Sequence, residues 1–232
     1  MSDGGYNQFC PVSMAAEIIC SRWTLLVLRE LVMGSTRFNE LRRGVPSMSP
    51  ALLSKRLKEL EAAGIITRIA TERESGGHRY RLTEAGTELR PIIEAIGVWG
   101  HRWVTTEATL KNLDPNLLMW DIRRNINTEP VPARRNTIQF IFKDRPVSER
   151  NYWLIVEPKK DVDLCLVDPG FDVDLYVTTD LQSMTEIWLG FRTVVQMADE
   201  GRFVLTGNSE LAANLRTWLR LSVFANVEKK VA

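Results

Sequence analysis

The apolar residues of this chain change period partway along it, and that change divides it in two. From Ser13 to about Leu110 they recur every three or four positions, with one short interruption of period two. From Thr137 onward they alternate, as in TIQFIFK, NYWLIVE, VDLCLV and VDLYVTT, before helical spacing returns. The first spacing lines up side chains along a helix and the second along one face of a strand, so a helical body should precede a sheet-containing one. The 232 residues suffice for two compact domains of that kind. Between them LKNLDPNLLMWDIRRNINTEPVPARRN holds Asp114-Pro115, Pro130 and Pro132, which bracket a helix at about 115–126. The expected division is 1–111 and 112–232, and the expected class is α+β.

Within the first part, RWTLLVLRELVM at 22–33 is apolar on nearly every side except along Arg22 and Arg29, which predicts a central, mostly buried helix ended by Gly34. TRFNELRR follows as a short helix with Phe38 and Leu41 turned inward. Ser49 and Pro50 then mark a helix start, the serine as N-cap and the proline at a position where its missing N–H costs nothing; Gly64 closes that helix. Leu53, Leu57 and Leu60 form its buried stripe. Ala51, Ser54, Lys55 and Lys58 lie opposite, a small, hydroxyl-bearing and basic face that either approaches a DNA groove or is simply solvated. IITRIATERESGGHRYRLT reads as a hairpin with Arg73, Gly76, Gly77, His78 and Arg79 at its tip. Two helices followed by a basic hairpin have the layout of a winged helix-turn-helix. Thr83 caps a predicted long helix through Trp103, along which Ile92, Ile96, Trp99 and Trp103 make an apolar line wide enough to want a second copy of the chain.

Charge agrees with this arrangement. The net charge is only +1, which argues against indiscriminate coating of nucleic acid, but residues 35–82 hold 10 basic against 5 acidic side chains. A hydrophobic content of 44% and a charged content of 25% exclude disorder for most of the chain. No apolar run approaches the roughly 18 residues of a membrane helix, and MSDGGYNQFC has no basic-then-apolar leader, so a cytoplasmic protein is expected. Cys10, Cys20 and Cys165 form no C-x-x-C pair, and His78 and His101 are too few and too badly spaced for a metal or a nucleophilic triad. No catalytic, metal or cofactor site is expected.

The runs CPV at 10–12, RWTLLVLREL at 22–31, RFNELRR at 37–43, SPALLSKRLKELEAAGII at 49–66, YRLTEAG at 80–86 and the Trp99-Gly100 pair together resemble the HxlR-type subset of MarR-like winged-helix transcription regulators. The resemblance spans about residues 10–104. It implies a dimer on double-stranded DNA, with Ser49, Pro50, Ala51, Ser54, Lys55 and Lys58 facing bases and phosphates. Arg42 and Arg43 before them, and Arg73 and Arg79 in the wing, would clamp phosphates, with Arg37 and His78 in the same DNA-facing set. Cys20-Ser21 departs from the Gly-rich pair of the family and should perturb a helix junction. Cys10 stands where some members carry a redox or electrophile sensor, although no Lys or Arg adjoins it to activate the thiol and a small buried residue is the alternative.

For the second part, strands are expected near 137–143, 151–157, 162–167, 172–178 and 201–206, with helices at about 181–198, broken at Gly190, and 209–223. Residues 120–222 resemble a sterol-carrier-protein-like lipid-binding domain, which implies helices covering a five-stranded sheet and an apolar tunnel. Trp120, Phe140, Trp153, Trp188, Phe191 and Trp218 are the expected lining, with filled core as the alternative. Two functions therefore stand side by side. One is a dimeric transcription regulator on an inverted-repeat operator whose second domain senses an apolar small molecule. The other is a lipid or acyl carrier or enzyme whose winged helix serves protein contact.

Overall fold

A computed structural model describes residues 5–70 and 77–231. The chain forms two compact units, Met1–Gly97 and Val98–Ala232, and passes from one to the other within a helix.

In the first unit α1 (Pro11–Ile19), α2 (Thr24–Val32), α3 (Phe38–Gly44) and α4 (Pro50–Ala62) precede a hairpin of β1 (Ile66–Ala70) and β2 (His78–Leu82), followed by α5 (Glu84–Glu88) and α6 (Arg90–Trp103). The core joins Val27, Leu28 and Leu31 of α2 to Leu41 of α3, to Val45 and Met48 in the connecting turn, and to Leu53, Leu57 and Leu60 of α4, with Ile65 and Ile66 closing it. The Ser49 hydroxyl caps α4 by accepting from the Leu52 amide at 3.3 Å, and Gly64 turns the chain out of it at φ 71°.

Two local features differ from expectation. The helix from Thr83 is interrupted at Leu89, because Pro91 has no N–H to donate back to Thr87 and its ring crowds that carbonyl. The junction at Cys20-Ser21 ends α1 at Ile19 and leaves Trp23 in the left-handed region at φ 78°, immediately before α2. An L-residue there costs roughly 1–2 kcal/mol, which the partial burial of the indole against the core offsets.

The second unit takes in the end of α6 and continues with α7 (Thr106–Leu110), α8 (Pro115–Asn125), β3 (Asn136–Phe142), β4 (Asn151–Val156), β5 (Asp163–Cys165), β6 (Leu175–Thr179), α9 (Leu181–Trp188), α10 (Val194–Asp199), β7 (Phe203–Gly207), α11 (Ser209–Ala213) and α12 (Leu215–Trp218). The sheet order is β5-β4-β3-β6-β7, with β3 and β6 parallel and the other neighbours antiparallel. The architecture is α+β. Ile138, Phe140 and Phe142 pack with Tyr152, Leu154, Leu175 and Val177 against the apolar faces of α8, α9, α11 and α12.

The expected last helix stops early. The Asn127 amide donates to the Trp218 carbonyl at 2.9 Å, and Leu219, non-helical at φ −83° and ψ 82°, bridges to Ile126, so the chain from 219 onward cannot prolong the helix. Among the described residues no single helix is long and apolar enough to cross a membrane.

Candidate nucleic-acid interface

α3, the turn through Met48 and α4 form the helix-turn-helix, and their relative placement rests on a buried charge. Glu30 of α2 has no exposed side-chain surface. It accepts from Arg29 Nη2 at 2.9 Å and from the Ser35 hydroxyl at 3.1 Å, while the same Arg29 nitrogen donates to the Gly44 carbonyl at 2.6 Å. One ion pair thus ties the end of α2 to the end of α3. At the other end of α3, Glu40 reaches back to the amides of Thr36 and Arg37 at 2.8 and 3.0 Å.

With Leu53, Leu57 and Leu60 committed inward, α4 turns Ala51, Ser54, Lys55 and Lys58 outward, all exposed. Ser49 and Pro50 are exposed at its start, and Arg37, Arg42 and Arg43 are exposed on α3 and just before it. Lys55 lies 3.9 Å from Glu59, an exposed pair that holds the lysine only weakly.

In the wing, Tyr80 donates its amide to the Thr36 carbonyl at 2.7 Å, and Arg79 bridges Arg37, so β2 is anchored to the segment entering α3. The β1–β2 register sets Arg79 opposite Ile69 and Arg81 opposite Thr67, which places both arginines on one face. Arg81 is exposed and was not among the expected residues, although the alternation Arg79-Tyr80-Arg81 already carried the signal. Arg79 is half-buried, and its Nε is buried with no hydrogen-bond partner among the described residues. His78 points to the other face, its Nε2 2.9 Å from Arg68 Nη2, a partner the sequence had not suggested. Arg73 and Gly76 lie outside the described residues.

Cys10 and Cys20 are exposed and Cys165 is half-buried, and among the described residues none of the three is in a disulfide. Cys10 immediately precedes α1, so the alternative of a small buried core residue does not hold for it. Among the described residues no group of three or more His, Cys, Asp or Glu is placed to hold a metal.

The expected ligand lining in the second unit is differently arranged. Trp120, Phe140, Trp188 and Trp218 meet in one packed core, each at most 6% exposed, and the Trp218 indole N–H is already used on the Leu211 carbonyl at 2.8 Å. Trp153 pairs with Gln139 and Cys165, one position out of phase with Phe140 and Leu154, and so faces away from that core. Phe191 is apart from both, 5.3 Å from the His101 ring with Lys229 Nζ 4.7 Å over its face. The six aromatics therefore do not line one tunnel, because strand alternation and close packing assign them to three places.

Comparison with known proteins places the first unit. Residues 18–108 match the model of the HxlR-like helix-turn-helix family. The HTH-type transcriptional regulator YvaP of Bacillus subtilis is 35% identical over 99 residues, covering 42% of this chain and 92% of that protein. The regulator sll1512 of Synechocystis is 33% identical over 102 residues, 44% of this chain and 76% of its own. A solved structure described as a MarR-family transcriptional regulator from Porphyromonas gingivalis is 29% identical, covers 45% of this chain and 98% of that one, and gives a TM-score of 0.39. With an exposed small-and-basic face on α4, a wing anchored beside it and relatives matched over most of their length, the chain belongs to the HxlR-like helix-turn-helix family of transcriptional regulators.

Proposed function

We propose that the protein works as a homodimer on an inverted-repeat operator in double-stranded DNA, with residues 1–111 binding DNA and dimerising and residues 112–232 sensing a small molecule. The observation that carries this reading is the face of α4. Ala51 lets the helix backbone approach base edges, Ser54 and Lys55 supply donors one turn on, and Lys58 reaches toward phosphate. Arg42, Arg43, Arg79 and Arg81 complete the phosphate contacts, and His78, on the other face of the wing, sits against Arg68.

Dimerisation is supported by α6. None of its 14 residues is buried, yet Ile92, Ile96, Trp99 and Trp103 follow at i, i+4, i+7 and i+11. α1 likewise has no buried residue although it carries Val12, Met14 and Ile18. Two recognition helices related by a two-fold axis read half-sites about 34 Å apart. In this reading the protein resides in the reducing cytoplasm, uses no cofactor, is not an enzyme and leaves Cys10 open to oxidants or electrophiles.

A gel shift with DNA flanking the coding region, repeated across a salt series, tests the proposal. With five phosphate contacts per protomer the slope of log K against log salt should be about −9. Footprinting that shows a single unpaired half-site, or affinity indifferent to salt, contradicts it.

A further inference from the structure

Within Val98–Ala232 a pocket of about 240 Å³ opens between α9, α10, α12 and the segment 221–226. Ile187, Leu215 and Leu219, all buried, lie among its lining with Val194. Arg192 and Arg216 also line it, and none of its lining residues is acidic. Arg192 is paired with Glu200, whereas the exposed Arg216 makes no ion pair among the described residues. At about 30 Å³ each, the space takes roughly eight non-hydrogen atoms, the carbons of a medium-length chain, and leaves a polar head at the mouth beside the exposed Arg216. An apolar interior with one uncommitted cation beside it selects for an amphipathic anion.

The wall formed by 221–226 is held against α9. Ser222 donates its amide to the Trp188 carbonyl at 2.9 Å, and a β-carbon on Gly190 would lie 2.4 Å from the Ala225 carbonyl oxygen. A few residues on, the same segment grips the last turn of α6. Lys229 Nζ donates to the carbonyls of Val104 and His101 at 2.7 and 3.1 Å, and the Lys230 amide donates to the Arg102 carbonyl at 2.9 Å. A ligand pressing on Ala225 and Asn226 therefore acts within a few residues of the atoms that hold the end of α6.

We infer that this pocket binds a small amphipathic carboxylate, its apolar part against Ile187, Leu215 and Leu219 and its carboxylate on Arg216, and that occupancy is transmitted through residues 225–231 to the end of α6. The inference rests on the proposed sensing role of the second half and moves the site away from the tryptophans.

Octanoate and octan-1-ol, titrated calorimetrically into the full chain without DNA, test the ligand class. Octanoate should bind at least about tenfold more tightly than the alcohol. Arg216→Gln should weaken octanoate about tenfold and leave octanol unchanged, since a hydrogen bond to a charged group is worth about that factor or more. Val194→Phe, which fills the pocket, should abolish both. Equal affinity for the two probes, no binding of octanoate, or an Arg216→Gln protein that binds octanoate as before overturns the assignment. Amide exchange at Lys230 should change on addition of octanoate in the parent chain and not in Val194→Phe; unchanged exchange overturns the transmission. Because these measurements need no DNA, a failed gel shift would remove the regulatory reading alone, and failed titrations beside a normal gel shift would remove this site alone.

Discussion

A β-carbon on Gly44 would sit 1.9 Å from Cδ of Glu30, the carboxylate buried beneath the helix-turn-helix. The last residue of α3 is therefore a glycine for want of space, and what occupies the space is one half of an ion pair with Arg29.

Gly44→Ala must push that carboxylate off its partners, and Glu30→Ala empties its site and leaves the part-exposed Arg29 with the Gly44 carbonyl. Leaving a buried carboxylate without its partner costs about 3 kcal/mol or more. For a domain of this size each kcal/mol lowers the midpoint by about 4–8 °C. Thermal unfolding followed by circular dichroism should show both variants well below the parent; a Gly44→Ala protein of parental stability would mean that Glu30 is free to relocate.

Substitutions on the DNA-facing surface should separate into two kinds. Arg42→Ala and Arg81→Ala, which remove proposed phosphate contacts, should weaken all sequences alike and flatten the salt slope by about 2 in the dimer, one contact per protomer. Ser54→Ala and Lys55→Ala should also relax base preference, at about 1–3 kcal/mol for each lost base contact. Competition binding against an operator library distinguishes them, and Lys55→Ala acting uniformly on every sequence would place Lys55 on the backbone.

Trp103→Glu places a charge on the exposed apolar line of α6. Light scattering at micromolar concentration should give a monomer or insoluble chain where the parent gives a dimer. A monomeric parent would show that α6 is covered by something other than a second copy.

The contact between α6 and residues 225–231 should depend on pH. Burial holds His101 below its ordinary value of 6.5, the neighbouring Lys229 cation lowers it further, and a hydrogen bond with the Val227 backbone works the other way. Below pH 6.5 the opened state takes up a proton that the closed state still refuses, so the closed contact loses stability as pH falls until His101 protonates in place. Exchange at the Lys230 amide, corrected for its intrinsic rate, should therefore speed up between pH 7.5 and about 5.5. His101→Gln should remove that dependence.

Helix and strand spans were legible where a local signal dominates. Ser49-Pro50 and Gly64 bracket α4, Asp114-Pro115 opens α8, and Gly190 at φ 76° separates α9 from α10. What escaped was set by partners distant in sequence. Glu30 adjoins Arg29 on the polar line of α2 and gives no sign in the sequence of its partners; the approach of Gly44 and Ser35 makes it a buried charge. The early end of the last helix comes from Ile126 and Asn127, some ninety residues away. Trp153 was grouped with Trp120 and Trp218 by residue type, yet its register opposite Gln139 sends it to the other side of the sheet. The α4 face fared better, because a stripe of leucines fixes which residues must face outward whatever lies beyond them.

The parallel pairing of β3 with β6 governs the order in which the second half can assemble. β3 and β4 can form a hairpin as soon as both exist, but β3 gains its other neighbour only after the loop through β5 has been closed, and β7 must then wait for α9 and α10. Loop-closure entropy is spent before those long-range contacts return anything, which makes such sheets slow. The helix-turn-helix and its hairpin draw on neighbours within a few dozen residues. On a ribosome the DNA-binding face would thus be finished while the central strand of the sheet still has one bare edge.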